Sequence, residues 1–312
     1  MIRVEGLTKY YGESAAIRDL NFTIERGEVI GFLGLNGAGK STTLKILGCV
    51  LLPTAGTVLI DGHDAVKDPH EVRKRIGFLP DTPPLYDEMT VRAYLTFVAE
   101  LRGVERAATD KLVAAAAERT GLRDVLDQPV GSLSHGFRQR VGIAQAIVHK
   151  PSLIILDEPT SGLDPVQIVE MRSLIRDLRG DHTVLLSSHN LPEISQTCDR
   201  LLVIHEGELV AQDSEGDLAK KMQSGVEIEV AAPQKKVVEA LASAGIDGLK
   251  GHQAVSAADA ETTTLRLDLD ATQRPAVVRA LVAANLDVLR VDVGRGGQKL
   301  ESIFLKLTAE RS

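Results

Sequence analysis

The sequence predicts an α/β fold in two parts. Residues 1–215 read as a mixed, largely parallel sheet with a helical subdomain at about 88–150 and an antiparallel β layer, and residues 216–312 as a small α+β domain of ferredoxin-like order. Three observations carry this reading. Short apolar strands alternate with helix patterns over the first two thirds of the chain. A glycine-rich turn joins one such strand to a helix at residues 34–41. Near residue 216 the pattern changes to short stretches of strict polar and apolar alternation.

The bulk numbers set the class. A chain of 312 residues favours two domains over one, and 44% hydrophobic with 25% charged residues suits a folded protein and excludes disorder. The net charge of −7, with no basic run interleaved with aromatics, argues against nucleic acid as the main partner. Cys49 and Cys198 stand far apart without CxxC or His-rich neighbours, so neither a zinc site nor a disulfide framework is indicated and reduced thiols are expected. The N-terminus MIRVEGLTKYYG alternates polar and apolar residues and lacks a signal-peptide layout. Apolar runs such as Leu153–Leu156 fall far short of the roughly 20 residues a membrane span needs, so the chain is expected not to cross a membrane.

Element by element, strand patterns fall at Ala16–Ile24, Val29–Leu33, Thr57–Ile60 and Arg75–Leu79, with one helix between them beginning at Gly39-Lys40-Ser41. From about 88 the pattern is helical, with Thr90 as an N-cap and an Ala-rich helix at 107–118. The buried strand Leu153–Leu156 follows. Asp164-Pro165 then reads as an N-cap and first-turn proline opening a helix to about 179. Another buried strand at Thr183–Ser187 and a short helix precede a hairpin at Arg200–Gln212. Beyond 216, Val226–Val230, Leu265–Leu269 and Leu289–Val293 alternate strictly, separated by two helices. One of these presents Val237, Ala240, Leu241 and Ala244 on a side, the other Val278, Leu281 and Val282. A weaker strand near Ala254 completes a βαββαβ sheet covered on one face.

Chemistry concentrates in four places. Gly34-Leu35-Asn36-Gly37-Ala38-Gly39-Lys40-Ser41 is a G-x(4)-G-K-S phosphate loop between an apolar strand and a helix. Its glycines let backbone N–H groups converge on a phosphate, Lys40 reaches the β/γ oxygens and Ser41 offers a hydroxyl to Mg²⁺. Asp157-Glu158 ends an apolar strand, where Asp157 can hold Mg²⁺ and Glu158 can polarise water, although such a pair also serves as an ordinary turn cap. His189 ends the next buried strand, and parallel strand order would bring it beside Asp157 and within reach of a γ-phosphate. Ser134-His135-Gly136 opens directly into a helix and forms a second anion nest. Tyr11, ahead of the phosphate loop, is placed to stack on a base; Tyr10 competes for that role, and core packing is the plain alternative for both.

GLNGAGKST, LSHGFRQR, LIILDEPTSGLD and LLSSH, in that order and spacing, resemble the nucleotide-binding subunit of ATP-binding cassette (ABC) transporters over residues 1–215. The resemblance implies a P-loop NTPase ABC cassette that binds and hydrolyses ATP with Mg²⁺. In that pattern Asn36, Gly37, Gly39, Lys40, Ser41 and Thr42 match the phosphate loop, Ser41 and Asp157 the magnesium ligands, Glu158 the catalytic base and His189 the switch histidine. Tyr11 matches the adenine-stacking aromatic. Ser161–Asp164 match the loop that crosses the dimer interface. Family members pair head to tail, so Ser134 and Gly136 would cap the γ-phosphate held by a second copy. Two nests per chain thus imply two shared sites per dimer.

Departures narrow the resemblance. The family signature usually reads LSGGQ, whereas His135 and Phe137 stand here for its first glycine and its glutamine, with Ser134 and Gly136 retained. Asp81 stands where many members carry a glutamine tied to Mg²⁺, the attacking water and the membrane partner; a carboxylate there would ligate Mg²⁺ or merely cap a turn beside Thr82. These variants, with Pro83-Pro84-Leu85-Tyr86 and the closing Leu300–Leu307, resemble the type-2 exporters, which include drug and gliding-motility exporters. The resemblance implies an ATPase subunit bound peripherally at the cytoplasmic face of the cell membrane, powering a separate multi-span permease. A soluble ABC-type mechanoenzyme acting on ribosome or DNA is the competing reading. Two-cassette chains or long coiled-coil insertions mark such relatives, and this chain has a single phosphate loop and no sustained heptads. Residues 216–312 carry no recognisable chemistry and read either as a regulatory or dimer-stabilising module or as a packing appendage.

Overall fold

The alternation at the N-terminus forms a ten-residue strand, β1 (Ile2–Tyr11), whose inward side chains Ile2, Val4 and Leu7 are buried. It pairs antiparallel with β2 (Ser14–Ile24) and with β4 (Ala55–Ile60), and β4 pairs with the short β5 (His63–Asp64), giving a sheet of order β2-β1-β4-β5. This is the expected antiparallel layer. The computed structural model describes residues 1–190, 194, 196–214, 216–218, 226–244, 253–254, 262–267 and 274–293. The closing Leu300–Leu307 segment and most of the short helix after Ser188 lie outside them.

The second sheet joins β3 (Val29–Leu33), β6 (Ile76–Leu79), β7 (Leu153–Asp157), β8 (Thr183–Ser188), β9 (Arg200–His205) and β10 (Glu208–Asp213) in the order β10-β9-β3-β8-β7-β6. All its pairings are parallel except the β9–β10 hairpin. Every residue of β3, β7 and β8 is buried, which explains why these strands read as continuous apolar runs rather than alternating ones. In this order β8 lies between the phosphate-loop strand β3 and the Asp157 strand β7. Leu33 faces Ser188, and Asp157 faces Ser187 at the same carboxyl edge.

Helix α1 (Lys40–Leu47) follows the phosphate loop. The expectation of one helix among the first strands is corrected here, because α2 (Pro69–Arg75) also forms. Seven residues burying only Val72 are too short to display a 3.6-residue period, and the start is set instead by Pro69 at the first position. The helical region holds α3 (Val91–Leu101), α4 (Arg106–Arg119) and α5 (His135–Ile147). Thr90 caps α3 by accepting a hydrogen bond from the Ala93 N–H, as its position predicts. Helix α6 (Pro165–Asp177) opens behind Asp164, whose carboxylate accepts from the Val166 and Gln167 N–H groups at 3.0 and 2.9 Å.

Helix α5 packs on β6 so closely that a Cβ at Gly77 would stand 1.9 Å from the Ala146 carbonyl oxygen, while Gln145 Nε2 donates to the Phe78 carbonyl at 2.7 Å. Backbone meets backbone there, so no side chain can yield. Gly77→Ala is therefore expected to destabilise the cassette by about 3 kcal/mol or more, read as a lower midpoint in denaturant unfolding.

By its contacts the chain divides into units Met1–Glu215 and Gly216–Ser312. In the second, β11 (Val226–Val230), β12 (Gln253–Ala254), β13 (Thr263–Leu267) and β14 (Val288–Val293) form an antiparallel sheet of order β12-β13-β11-β14, with helices α7 (Gln234–Ser243) and α8 (Arg274–Ala283). This is the ferredoxin-like order. Ile228, Val230, Val237, Leu241, Val277 and Leu281 make its core. The expected buried face of α8 is corrected: Val277 and Leu281, four apart, point inward, while Val282 is exposed. On α7, Val237 and Leu241 are buried but Ala244 is exposed.

Candidate active site

The phosphate loop leaves β3 at Leu33 and enters α1 at Lys40. Gly39 has φ +107° and its missing Cβ would meet the Ala16 carbonyl at 2.6 Å, so both the turn and the close approach of the β2 backbone require glycine. Gly37 has φ +83° and opens on free space. No side chain caps α1, which leaves its first N–H groups aimed at an anion. The loop lines a cleft of about 390 Å³, whose walls include Asn36, Gly37, Gly39, Lys40, Ser41 and Thr42 from the loop and α1, with Asp81, Glu158, Ser161 and His189 opposite.

Lys40 is only 6% exposed, and its ammonium donates to the carbonyls of Gly34 at 2.8 Å and Leu35 at 3.4 Å. The nearest anion is Glu158 Oε1 at 3.7 Å. A buried ammonium beside an open glycine loop has the charge and the placement to meet a phosphate.

Ser41 Oγ lies 3.3 Å from Asp157 Oδ1, so the hydroxyl and the carboxylate meet at one point. Among the described residues no three acidic, His or Cys side chains gather as a metal cage. One hydroxyl and one carboxylate suit Mg²⁺, which keeps several waters and takes phosphate oxygens as its remaining ligands. The donor set therefore fits the ion. Ser187, which the sequence reasoning left without a role, organises this corner. Its hydroxyl donates to Asp157 Oδ1 at 2.6 Å and accepts from the Glu158 N–H at 3.0 Å. The only sequence signal for it was its place at the end of the buried strand that carries His189.

Glu158 has φ +50°, an uncommon conformation for a residue with a side chain, and turns its carboxylate back over the cleft. Oε2 accepts from His189 Nδ1 at 2.8 Å. This uses Nδ1 and leaves Nε2 for another partner.

The remaining candidates are spread out. Asp81 lines the cleft. Tyr11 and Tyr10 are 52% and 44% exposed, which removes core packing as an account of either; the Lys9 ammonium sits 5.5 Å from the Tyr11 ring centre. Tyr11 is not part of the cleft wall, although Ala16 of the same hairpin is. Ser134 caps α5, and Gly136 is buried so tightly that a Cβ would lie 2.9 Å from the Gln167 side chain. Both line a separate cavity of about 570 Å³ that shares no residue with the phosphate-loop cleft. Within one chain the second nest therefore lines a different cavity from the first site's residues, and one carboxylate oxygen of Asp164 caps α6.

Fold and site together define a phosphate-loop ATPase cassette. The ABC transporter family model matches residues 17–161. The chain is 34% identical over 310 residues to the bacitracin transport ATP-binding protein BcrA of Bacillus licheniformis, covering 98% of this chain and 97% of that one. It is 28% identical to the linearmycin resistance ATP-binding protein LnrL of Bacillus subtilis, over 99% and 98% of the two chains. Its cassette also superposes on the dimeric bacterial ABC transporter cassette MJ0796 with a TM-score of 0.63 at 27% identity, covering 69% of this chain and 98% of that one. The chain belongs to the ATP-binding proteins of ABC transporters. It is an ATPase subunit coupled to transport that uses ATP with Mg²⁺. No helix among its described residues is long and apolar enough to cross a membrane.

Proposed function

We propose that the chain powers export of an antibiotic-like or other drug-like molecule from the cytoplasmic face of the cell membrane, with Glu158 as the base of ATP hydrolysis. The observation that carries the catalytic part is the placement of Glu158 at the mouth of the phosphate loop, between Lys40 and His189. The export part rests on the bacitracin and linearmycin relatives, which match along nearly the whole chain.

Lys40 and the N–H groups of the loop hold the β- and γ-phosphates, and Glu158 takes the proton of the attacking water. His189, oriented through Nδ1 by Glu158, offers Nε2 toward the γ-phosphate. Ser41 and Asp157 would hold Mg²⁺, which would supply positive charge against the phosphates. Tyr11 supports the adenine, and Ser134 with Gly136 completes the site of a second copy. Asp157→Asn is expected to raise the Mg²⁺ concentration for half-maximal hydrolysis by about 10–100-fold, measured by magnesium titration at saturating ATP.

Purification of the tagged chain from native membranes in mild detergent tests the transporter assignment. A multi-span protein recovered in stoichiometric amount supports it, and transport by the reconstituted pair then identifies cargo and direction. Recovery with ribosomal or DNA-bound proteins and no membrane partner would overturn it.

A further inference from the structure

His135 stands beside the nest formed by Ser134 and Gly136, at a position where a glycine would do for holding phosphate. Its ring reaches across to another loop of the same chain. Nε2 lies 2.9 Å from the Ser161 carbonyl oxygen. A carbonyl only accepts, so Nε2 carries the hydrogen and donates it. The ring also rests on Gly162, which has φ +73° and whose missing Cβ would stand 3.0 Å from Nε2. Gly162 thus leaves room for both the turn and the histidine.

The bond continues into the active site. The Ser161 N–H donates to the Glu158 carbonyl at 3.0 Å, and Ser161 itself lines the phosphate-loop cleft. The Glu158 side chain meets His189 and Lys40. One chain of contacts therefore runs from the second nest, through His135, Ser161 and Glu158, to the first.

We propose that His135 is a positioning residue: by tying the second nest to the Ser161 carbonyl it fixes the 158–164 loop, and so links this chain's own hydrolytic site to the nest it presents to a second copy. The inference rests on the reading of Glu158 as the base and of Ser134 and Gly136 as the partner's cap. Glycine at this position supplies the nest alone; histidine adds the link.

The test uses the full chain with His135→Ala, His135→Gly and His135→Gln. One backbone-directed hydrogen bond corresponds to about a 2–10-fold change in the population of the ordered loop. In the nucleotide-free protein, amide hydrogen exchange of residues 158–164 is expected to quicken by that factor in the Ala and Gly variants. In His135→Gln, whose side-chain amide can donate to the same carbonyl, exchange is expected to return toward wild type. Turnover should fall about 2–10-fold in Ala and Gly while the affinity for a fluorescent ATP analogue changes less than about twofold, because Lys40 and its loop are untouched. Wild-type exchange and turnover in His135→Ala would overturn the inference, as would a Gln variant no better than Ala. Failure of the underlying reading is distinguishable: wild-type hydrolysis would then be indifferent to Glu158→Gln, which also removes the role given to His135.

Discussion

Glu158→Gln is expected to lower ATP turnover by roughly 10²–10⁴-fold while leaving ATP binding largely intact. The amide keeps the size of the carboxylate and can still accept from His189 Nδ1, which lies 2.8 Å from Oε2 in the wild type. What it loses is the capacity to take a proton from water. The left-handed backbone at residue 158 and the Ser187 bond to its N–H are unaffected, so the side chain stays where the fold puts it. Single-turnover hydrolysis and nucleotide binding measured on the same sample separate the two effects. With binding retained, the variant should also hold two chains together around ATP, visible as a nucleotide-dependent dimer in light scattering. Unchanged steady-state hydrolysis would remove Glu158 from its role.

Lys40→Met is expected to weaken ATP binding by roughly 10²-fold, the consequence of losing two charge-assisted hydrogen bonds of about 1.5–3 kcal/mol each, partly offset by water. Its stability should move much less than its affinity. The Lys40 ammonium is buried against two carbonyls, with the Glu158 carboxylate at 3.7 Å. An apolar side chain of similar length removes a buried charge but leaves those acceptors without their donor, so the two effects oppose each other in the nucleotide-free protein. Calorimetric titration with Mg²⁺-ATP and a thermal melt without nucleotide together check the pair of outcomes. A melt lowered as much as binding would mean that Lys40 serves the fold rather than the ligand.

Much of the cassette was legible because its signals are local. The phosphate loop is a contiguous run whose glycines have conformational work at Gly37 and Gly39, with φ of +83° and +107°. Thr90 and Asp164-Pro165 announced two helix starts, and both form as caps. Strands buried on both faces read as apolar runs, and the alternation of β11 buries Ile228 and Val230 on either side of Glu229, whereas in β14 the expected dry face is not met because Leu289 and Val291 are exposed. Helix α2 was not legible, since a seven-residue helix with one buried side chain carries no period. The inward face of α8 was misread because its adjacent valines, Val277 and Val278, are equivalent in sequence; only the sheet beneath decides which one turns in.

The residues that meet across the chain were a different matter. Sequence order alone cannot say that Ser187 bonds both Asp157 and the Glu158 N–H, because that depends on β8 lying between β3 and β7 with Asp157 opposite Ser187 in register. Nor can it say that His135 reaches Ser161, 26 positions away, since the two loops are joined only where α5 and the 158–164 turn come together. The sequence by itself determined the chemistry of the parts: a phosphate loop, a carboxylate pair, a second nest and the elements that carry them, all written in short spans by backbone sterics and hydrophobic period. Tertiary structure alone decided their arrangement, bringing Lys40, Glu158 and His189 into one cleft and placing Ser134 and Gly136 in the wall of another. Strand order and register are long-range choices, made by the burial of whole sheets rather than by any local run of residues.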